Sequence, residues 1–470
     1  MRSGVRRHLE HLRAAQSAGA VARPGRAPGV AAAGTAPEPD LPLEFSWRDY
    51  TILLLHVAAE IEHALMVQYL YAAYSLGGPQ VPPDRRALVR NWQTVILGIA
   101  KEEMAHLITV ENVLRFLGGS LSFDRDDYPF RSDFFPFPFT LEKLTRDSLA
   151  KYIYAEMPAV WTDPDADAIK ARALRADQGD PLHRVGDLYD ALLVLIGQPQ
   201  YLSELDFHPE SYPYQASWDE WGRGYVQGGR AQPEGDLHRG TPDLIIQPIT
   251  SRDGALAGLQ AIADQGEAPD TIPGDLETSH FRRFLDIYRA FPDDGVGWQP
   301  ARPVPTNPCA CDVETARAGA SRPMSPITDP EARAWAHLAN VRYRMLLVDL
   351  THSFYVEPVE GTSTSVRGLL VAKTFGEMYN LRSIAGILMQ LPQGPDSTNV
   401  AAPPFEMPYS LVLPHLESDR WRIHRDLIQA SQRILDGLKR RNTKHVDYAI
   451  ALADWDARAR DTVEALIRSS

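Results

Sequence analysis

Cysteine is nearly missing. The chain of 470 residues carries two, Cys309 and Cys311, two positions apart in a Pro-rich stretch. That spacing fits neither a disulfide framework nor a four-ligand zinc site, and a reducing compartment is the natural reading. Long apolar runs are also wanting: no uninterrupted one approaches the roughly 18 residues that a membrane helix needs, so a soluble chain is expected. Positive charge is outnumbered, with 48 Lys and Arg against 61 Asp and Glu and a net charge of −13. This argues against nucleic acid or an anionic membrane as partner and for a small molecule. Arg6 and Arg7 are followed by Ala, Gly, Pro and more Arg where the apolar part of an export signal would stand, so a cytoplasmic protein is expected.

What is present is ample apolar material, 44% of residues, enough for one large domain with additions or for two. Residues 1–43 are Ala, Gly, Pro and Arg with few aromatics and read as a disordered tail, apart from a helical patch around Val5 to Ala15. A helical bundle is expected over 44–294, a Pro-rich connector over 295–328, and a further helical region packing on the bundle over 329–470. Trp47 to Ser75 reads as one helix stopped by Gly77, Gly78 and Pro79, and Asp84 to Phe116 as a second, stopped by Gly118 and Gly119. Phe123 to Phe139 alternates Phe, Pro and Asp and cannot be a regular helix. Helical pattern returns at Leu141 to Ala155, Val185 to Ile196, Gly254 to Gln265 and Leu276 to Ala290, with a long insertion between Gly197 and Arg252. After the connector, Thr328 and Glu331 have capping-box spacing ahead of a helix, and Arg367 to Leu391 and Arg420 to Leu438 follow. Strand alternation is not evident, so the class is all-α.

Charged residues stand on faces that should be apolar. Glu62 shares its face with Leu55, Ala59, Met66 and Tyr69, where a lone carboxylate costs several kcal/mol. Glu103 and His106 have Glu-x-x-His spacing on the second helix, and Glu277 and His280 repeat it ahead of Phe281 and Phe284. Asp187 lies in line with Ala191 and Val194. Two helices each giving one carboxylate and two each giving a Glu-x-x-His pair form the ligand set of a dinuclear, carboxylate-bridged metal site. Two divalent cations would neutralise the four carboxylates; hard oxygen and imidazole donors suit iron or manganese. A single such pair is common by chance on a helix surface, and the recurrence gives the pattern its force. Asp187 is one methylene shorter than the glutamate expected there, and Glu267 is its rival. His56, Glu60 and His63 make another one-sided trio, read as solvated or as a second shell behind the ligands, Glu60 and His63 in particular.

These residues resemble the ferritin-like family that includes the iminophenyl-pyruvate dimer synthase domain of bisindole pathways, those leading to violacein and rebeccamycin-type compounds. The likeness rests on Glu60-Ile61-Glu62-His63-Ala64 running into Gln68-Tyr69-Leu70-Tyr71 and Tyr74-Ser75-Leu76, and on Glu102-Glu103-Met104-Ala105-His106. It continues through Gly186-Asp187-Leu188-Tyr189, Gln265-Gly266-Glu267, Glu277 with His280-Phe281 and Phe284, and the segments Leu391-Pro392 and Pro404-Phe405-Glu406. Two positions depart from the pattern: Asp187 where glutamate is usual, and Ala402 where glycine is.

Family resemblance implies a ferritin-like four-helix bundle and oxidative chemistry on amino-acid-derived metabolites. The leading expectation is a non-haem di-iron, O₂-dependent oxidase or oxygenase for a small aromatic or amino-acid-derived metabolite in natural-product biosynthesis. Its cofactor would be iron, two per chain, with manganese as the substitute, and its partners the substrate and O₂, with room for a homo-oligomer. The alternatives are a haem-dependent imine-coupling enzyme, although no Cys-x-x-Cys-His is present, and a non-catalytic ferritin-like iron-handling protein.

Overall fold

A computed structural model describes residues 41–470 except 133, 178–181, 222–243, 268–277, 294, 296, 313–323, 358–364, 408, 410 and 442. Residues 1–40 of the expected tail, with its patch at Val5 to Ala15, and Glu277 therefore lie outside the described residues.

Two long helices dominate the first half, α1 (Trp47–Ser75) and α2 (Arg86–Phe116). The Ser46 side chain caps α1 by accepting from the Asp49 N–H, and Gly77 and Gly78 leave it at φ +88° and +112°, conformations open to glycine and strained for other residues. The pair is antiparallel: the Gln93 amide donates to Ala73 O near one end, and the Arg48 guanidinium to Leu117 O near the other. By length and composition α1 could cross a membrane, contrary to the reading of the bare sequence, but 78% of its apolar window is buried inside the protein. It is the core helix of the bundle.

Around this pair lie α3 (Arg146–Glu156), α4 (Ala166–Ala176), α5 (Val185–Gly197), the single turn α6 (Trp218–Trp221), α7 (Arg252–Glu267) and α8 (His280–Ala290). Thr145 and Ser148 form a reciprocal capping box at the start of α3, and Ser279 caps α8 through the Arg282 N–H. The insertion is stitched onto α2 by Asn112, whose amide donates to Ala216 O and Gln247 O while its carbonyl accepts from the Ala216 N–H. Each bond satisfies a buried backbone group that the irregular segment cannot satisfy itself.

The second half is a set of four helices, α9 (Pro330–Ser353), α10 (Val366–Leu388), α11 (Glu417–Arg441) and α12 (Val446–Ser469). Their shared core includes Trp335, Leu338, Ile384, Leu388, Leu435, Leu438, Ala449 and Leu452. The cap of α9 is Asp329, whose carboxylate accepts from Glu331 N and Ala332 N, rather than Thr328. Helices α4 and α12 were not read from the sequence. The apolar residues Tyr343, Leu346, Leu347 and Leu350 of α9 join the core of the first half. At that seam the Arg125 guanidinium donates to Phe405 O at 2.5 Å and lies over the rings of Phe139 and Tyr343.

Strand structure among the described residues is confined to a short parallel pair, β1 (Pro308–Cys309) and β2 (Ser325–Pro326), and isolated bridges. Cys309 and Cys311 are joined by a disulfide. This corrects the sequence expectation: the backbone of one segment brings two sulfurs together without any second segment to make a framework.

Candidate metal centre

The buried acids and imidazoles converge where α1, α2, α3 and α8 meet. α1 contributes Glu62, α2 contributes Glu103 and His106 one turn apart, α3 contributes its last residue, Glu156, and α8 contributes its first, His280. Each is at most 3% exposed. Their donor atoms fall into two groups within 4.8 Å, Glu62 with Glu103 and His106, and Glu103 with Glu156 and His280. Glu103 belongs to both. Its Oε2 lies 3.2 Å from His106 Nδ1 and its Oε1 2.9 Å from His280 Nδ1, the placement of a carboxylate bridging two positions.

Outer partners fix these groups from behind. His106 Nε2 lies 2.8 Å from the Gln265 amide oxygen, a partner for an N–H donor on that nitrogen, and Nδ1 faces the centre. His280 Nε2 lies 2.9 Å from Glu102 Oε2, and the Arg283 guanidinium holds Glu102 in turn. The Tyr69 hydroxyl donates to Glu156 Oε1 at 2.6 Å, and the Tyr189 hydroxyl donates to Glu62 Oε1. The other oxygen of each carboxylate is left to the centre. Gly266 lets the end of α7 come close, since a Cβ there would stand 3.0 Å from Glu156 Oε2. A small cleft lined by Leu65, Val185, Ile262 and Ala263 opens beside the carboxylates.

Electrostatics show a shortage of fixed cations. Burial, opposed by His106, raises Glu62 to about 8. Burial works against Glu103 too, but the imidazoles of His280 and His106 hold it well below the carboxylate range. Conversely Glu103 and Glu62 overcome burial to raise His106 to about 10, and Glu103 with Glu102 raises His280 well above the histidine range. A second proton on each imidazole, or a cation in its place, would supply the positive charge that the fold does not.

Of the residues expected from sequence, Glu62, Glu103, His106 and His280 are brought together. Asp187 is not: its side chain is 58% exposed and paired with Arg184. The buried face of α5 carries Gly186, Tyr189, Leu192 and Ile196, a different side from the one through Ala191 and Val194. Tyr189, two residues on, is the one that reaches the centre. Glu267 ends α7 with its side chain outside the described residues. α8 begins at His280 rather than Leu276, so no described helix underlies the expected turn from Glu277 to His280. Glu60 and His63 do not back the ligands either, because their partners lie elsewhere. Glu60 accepts from Asp126 N, and His63 bonds the Tyr343 hydroxyl across the seam. His56 bonds Ser120 O at 2.9 Å. Sequence reasoning missed Glu156 and the outer pair Glu102 and Arg283. Glu156 had a signal, for it continues the helical line of Leu149, Tyr152 and Ile153 by one more turn.

An all-α bundle with this convergence matches the Ferritin-like family model over residues 55–289, and the chain belongs to that family. It is 24% identical over 398 residues to the dichlorochromopyrrolate synthase of Lentzea aerocolonigenes, covering 77% of this chain and 36% of that protein. It is also 24% identical over 408 residues to the 2-imino-3-(indol-3-yl)propanoate dimerase of Chromobacterium violaceum, covering 79% and 35%. The match thus spans about a third of the length of these relatives. A ferritin-like protein from Caulobacter vibrioides of known crystal structure aligns at TM-score 0.40 and 20% identity, over 74% of this chain and 97% of that one.

Proposed function

We propose that this protein is an O₂-dependent oxidase or oxygenase with a non-haem di-iron centre, acting on a small aromatic or amino-acid-derived metabolite in natural-product biosynthesis in the cytoplasm. The observation that carries the reading is Glu103, shared by two three-donor groups whose inner atoms lack alignment with one another. Glu62 Oε2, Glu103 Oε1 and His280 Nδ1 are buried and complete no hydrogen bond, although Glu103 and His280 approach to 2.9 Å. Such atoms are costly to bury unless something else engages them. Carboxylate and imidazole donors suit iron, and manganese is the substitute. The name of the dimerase supports the substrate class, an imino acid bearing an aromatic ring.

Iron held by Glu62, Glu103, His106, Glu156 and His280 would supply electrons and Lewis acidity to O₂ and substrate. The chain's own contribution is orientation. Tyr189 and Tyr69 each hold one oxygen of Glu62 and Glu156, so the remaining oxygen keeps its direction. Glu102, fixed by Arg283, keeps the His280 proton on Nε2. Leu65, Val185 and Ile262 form an apolar wall that limits water beside the carboxylates.

The test is oxygen uptake by protein loaded with ferrous ion under anaerobic conditions, with and without aromatic imino or keto acids. The expected result is about two irons per chain and uptake that depends on the organic compound. Continued iron accumulation with uptake indifferent to every organic compound would establish iron handling instead.

A further inference from the structure

Away from the bundle centre, Cys309, Cys311 and Glu406 place two sulfurs and a carboxylate oxygen within 4.8 Å of one another. Their surroundings are built. Cys309 O accepts from Ile327 N at 2.8 Å in the β1/β2 pair, Ala310 O accepts from the Arg333 guanidinium at 3.0 Å, and Ala310 N donates to Glu406 Oε2 at 2.9 Å. Asn340 grips Glu406 twice, its amide donating to Oε2 at 2.7 Å and its carbonyl accepting from the Glu406 N–H at 2.9 Å. Both hydrogen bonds to this carboxylate fall on Oε2. Cys309 is buried, whereas Cys311 and Glu406 are partly exposed, so a solute can reach the group.

The bridge itself does little for the fold. It closes a loop with one residue inside, which removes almost no freedom from the unfolded chain, and both cysteines lie on the same segment, so no element is pinned to another. Sheet, guanidinium and carboxylate hold the Cys-Ala-Cys backbone by bonds that do not involve sulfur.

We propose that Cys309, Cys311 and Glu406 form a second, redox-gated metal site that takes a thiophilic divalent ion of the zinc class when the bridge is reduced. A dithiol reductant delivers two electrons and two protons to the S–S bond and becomes a disulfide, leaving two thiols. The ion then displaces both thiol protons and binds two thiolates and the Glu406 carboxylate, three of the four donors such an ion takes. Thiolates distinguish this site from the bundle centre, whose donors are oxygen and imidazole.

Cobalt(II) reads the difference, because only thiolate ligands give sulfur-to-cobalt charge-transfer absorption. The full-length chain should show no alkylatable thiol when denatured without reductant and two after reduction. Reduced chain should gain the charge-transfer band at one equivalent of cobalt, and oxidised chain should not. Cys311→Ser should at least halve the band, the Cys309→Ser/Cys311→Ser double variant should abolish it, and Glu406→Gln should weaken binding about tenfold or more, while the His106→Ala/His280→Ala double variant keeps the band. Circular dichroism of the double-serine variant matching the reduced wild type confirms that fold loss is not the cause. A reduced wild-type chain without the band, or a Cys311→Ser chain with the band at full strength, overturns the site.

Discussion

Two clusters of buried charge, one in each half of the molecule, are neutralised in opposite ways. In the second half, Arg342 lies fully buried between Glu377 at 3.0 Å, Asp456 at 2.6 Å and Ser431 at 2.8 Å, so α9, α10, α11 and α12 each contribute one group. Two turns along α9, Asp349 is met by Lys373 at 3.0 Å and by His424 at 3.1 Å. These acids find their cations within the chain. In the first half, among the described residues, Glu62, Glu103 and Glu156 meet imidazoles and tyrosine hydroxyls but no Arg or Lys, and the nearby Arg283 is spent on Glu102. Both regions bury carboxylates among helices, so burial alone does not mark a site. What marks it is a deficit of fixed positive charge.

The comparison can be broken most forcefully at Arg342. Arg342→Ala leaves Glu377 and Asp456 buried without their cation and is expected to cost about 3–5 kcal/mol, read by urea unfolding. Stability within 1 kcal/mol of wild type would show that the second cluster is not held by its internal ion pairs. A different discharge operates at Glu111 on α2, raised to about 8 by burial against the Ser122 N–H and Arg115. Here a proton, not a cation, neutralises the acid. Because the folded-state value is raised, its stabilising contribution is complete below about 4.5 and is lost as pH climbs to about 8. Glu111→Gln should therefore gain on wild type by up to about 5 kcal/mol across that interval, and a constant stability difference between the two chains would refute it.

Metal retention sharpens the first half of the contrast. His106→Ala and His280→Ala are each expected to weaken iron binding about 10–100-fold or more, while His56→Ala and His63→Ala leave iron content unchanged. Equal iron in all four variants, measured by elemental analysis, would place the ligands elsewhere. The smallest effect is expected at Asp187, where Asp187→Ala should change stability by less than about 0.5 kcal/mol and leave bound iron as it was.

Much of this was legible because helices repeat. The end of α1 is written in Gly77 and Gly78, and Glu62, Glu103 and His106 stand out as charges in otherwise apolar lines. His280 was found through a Glu-x-x-His spacing whose helix begins only at the histidine. Asp187 misled because α5 is apolar almost all round, so that Ala191 and Val194 pointed to one face while Tyr189, Leu192 and Ile196 occupy the core. Glu156 was missed by ending its helix one residue early. Pairings between distant segments, such as Glu406 with Cys309 and Cys311 or Arg342 with Asp456, leave no periodic trace and could not be read at all.

The order in which the centre's groups emerge during synthesis follows from their spacing along the chain. Glu62, Glu103 and His106 belong to the neighbouring helices α1 and α2 and can meet as soon as that hairpin has formed. Glu156 must wait for α3, and His280 comes last, 178 residues after the Glu102 that orients it. One half of the centre can thus exist while the other is still unmade. During translation Glu103 is first a terminal member of a three-residue cluster, and it becomes the shared member of two only when α8 has left the ribosome and docked.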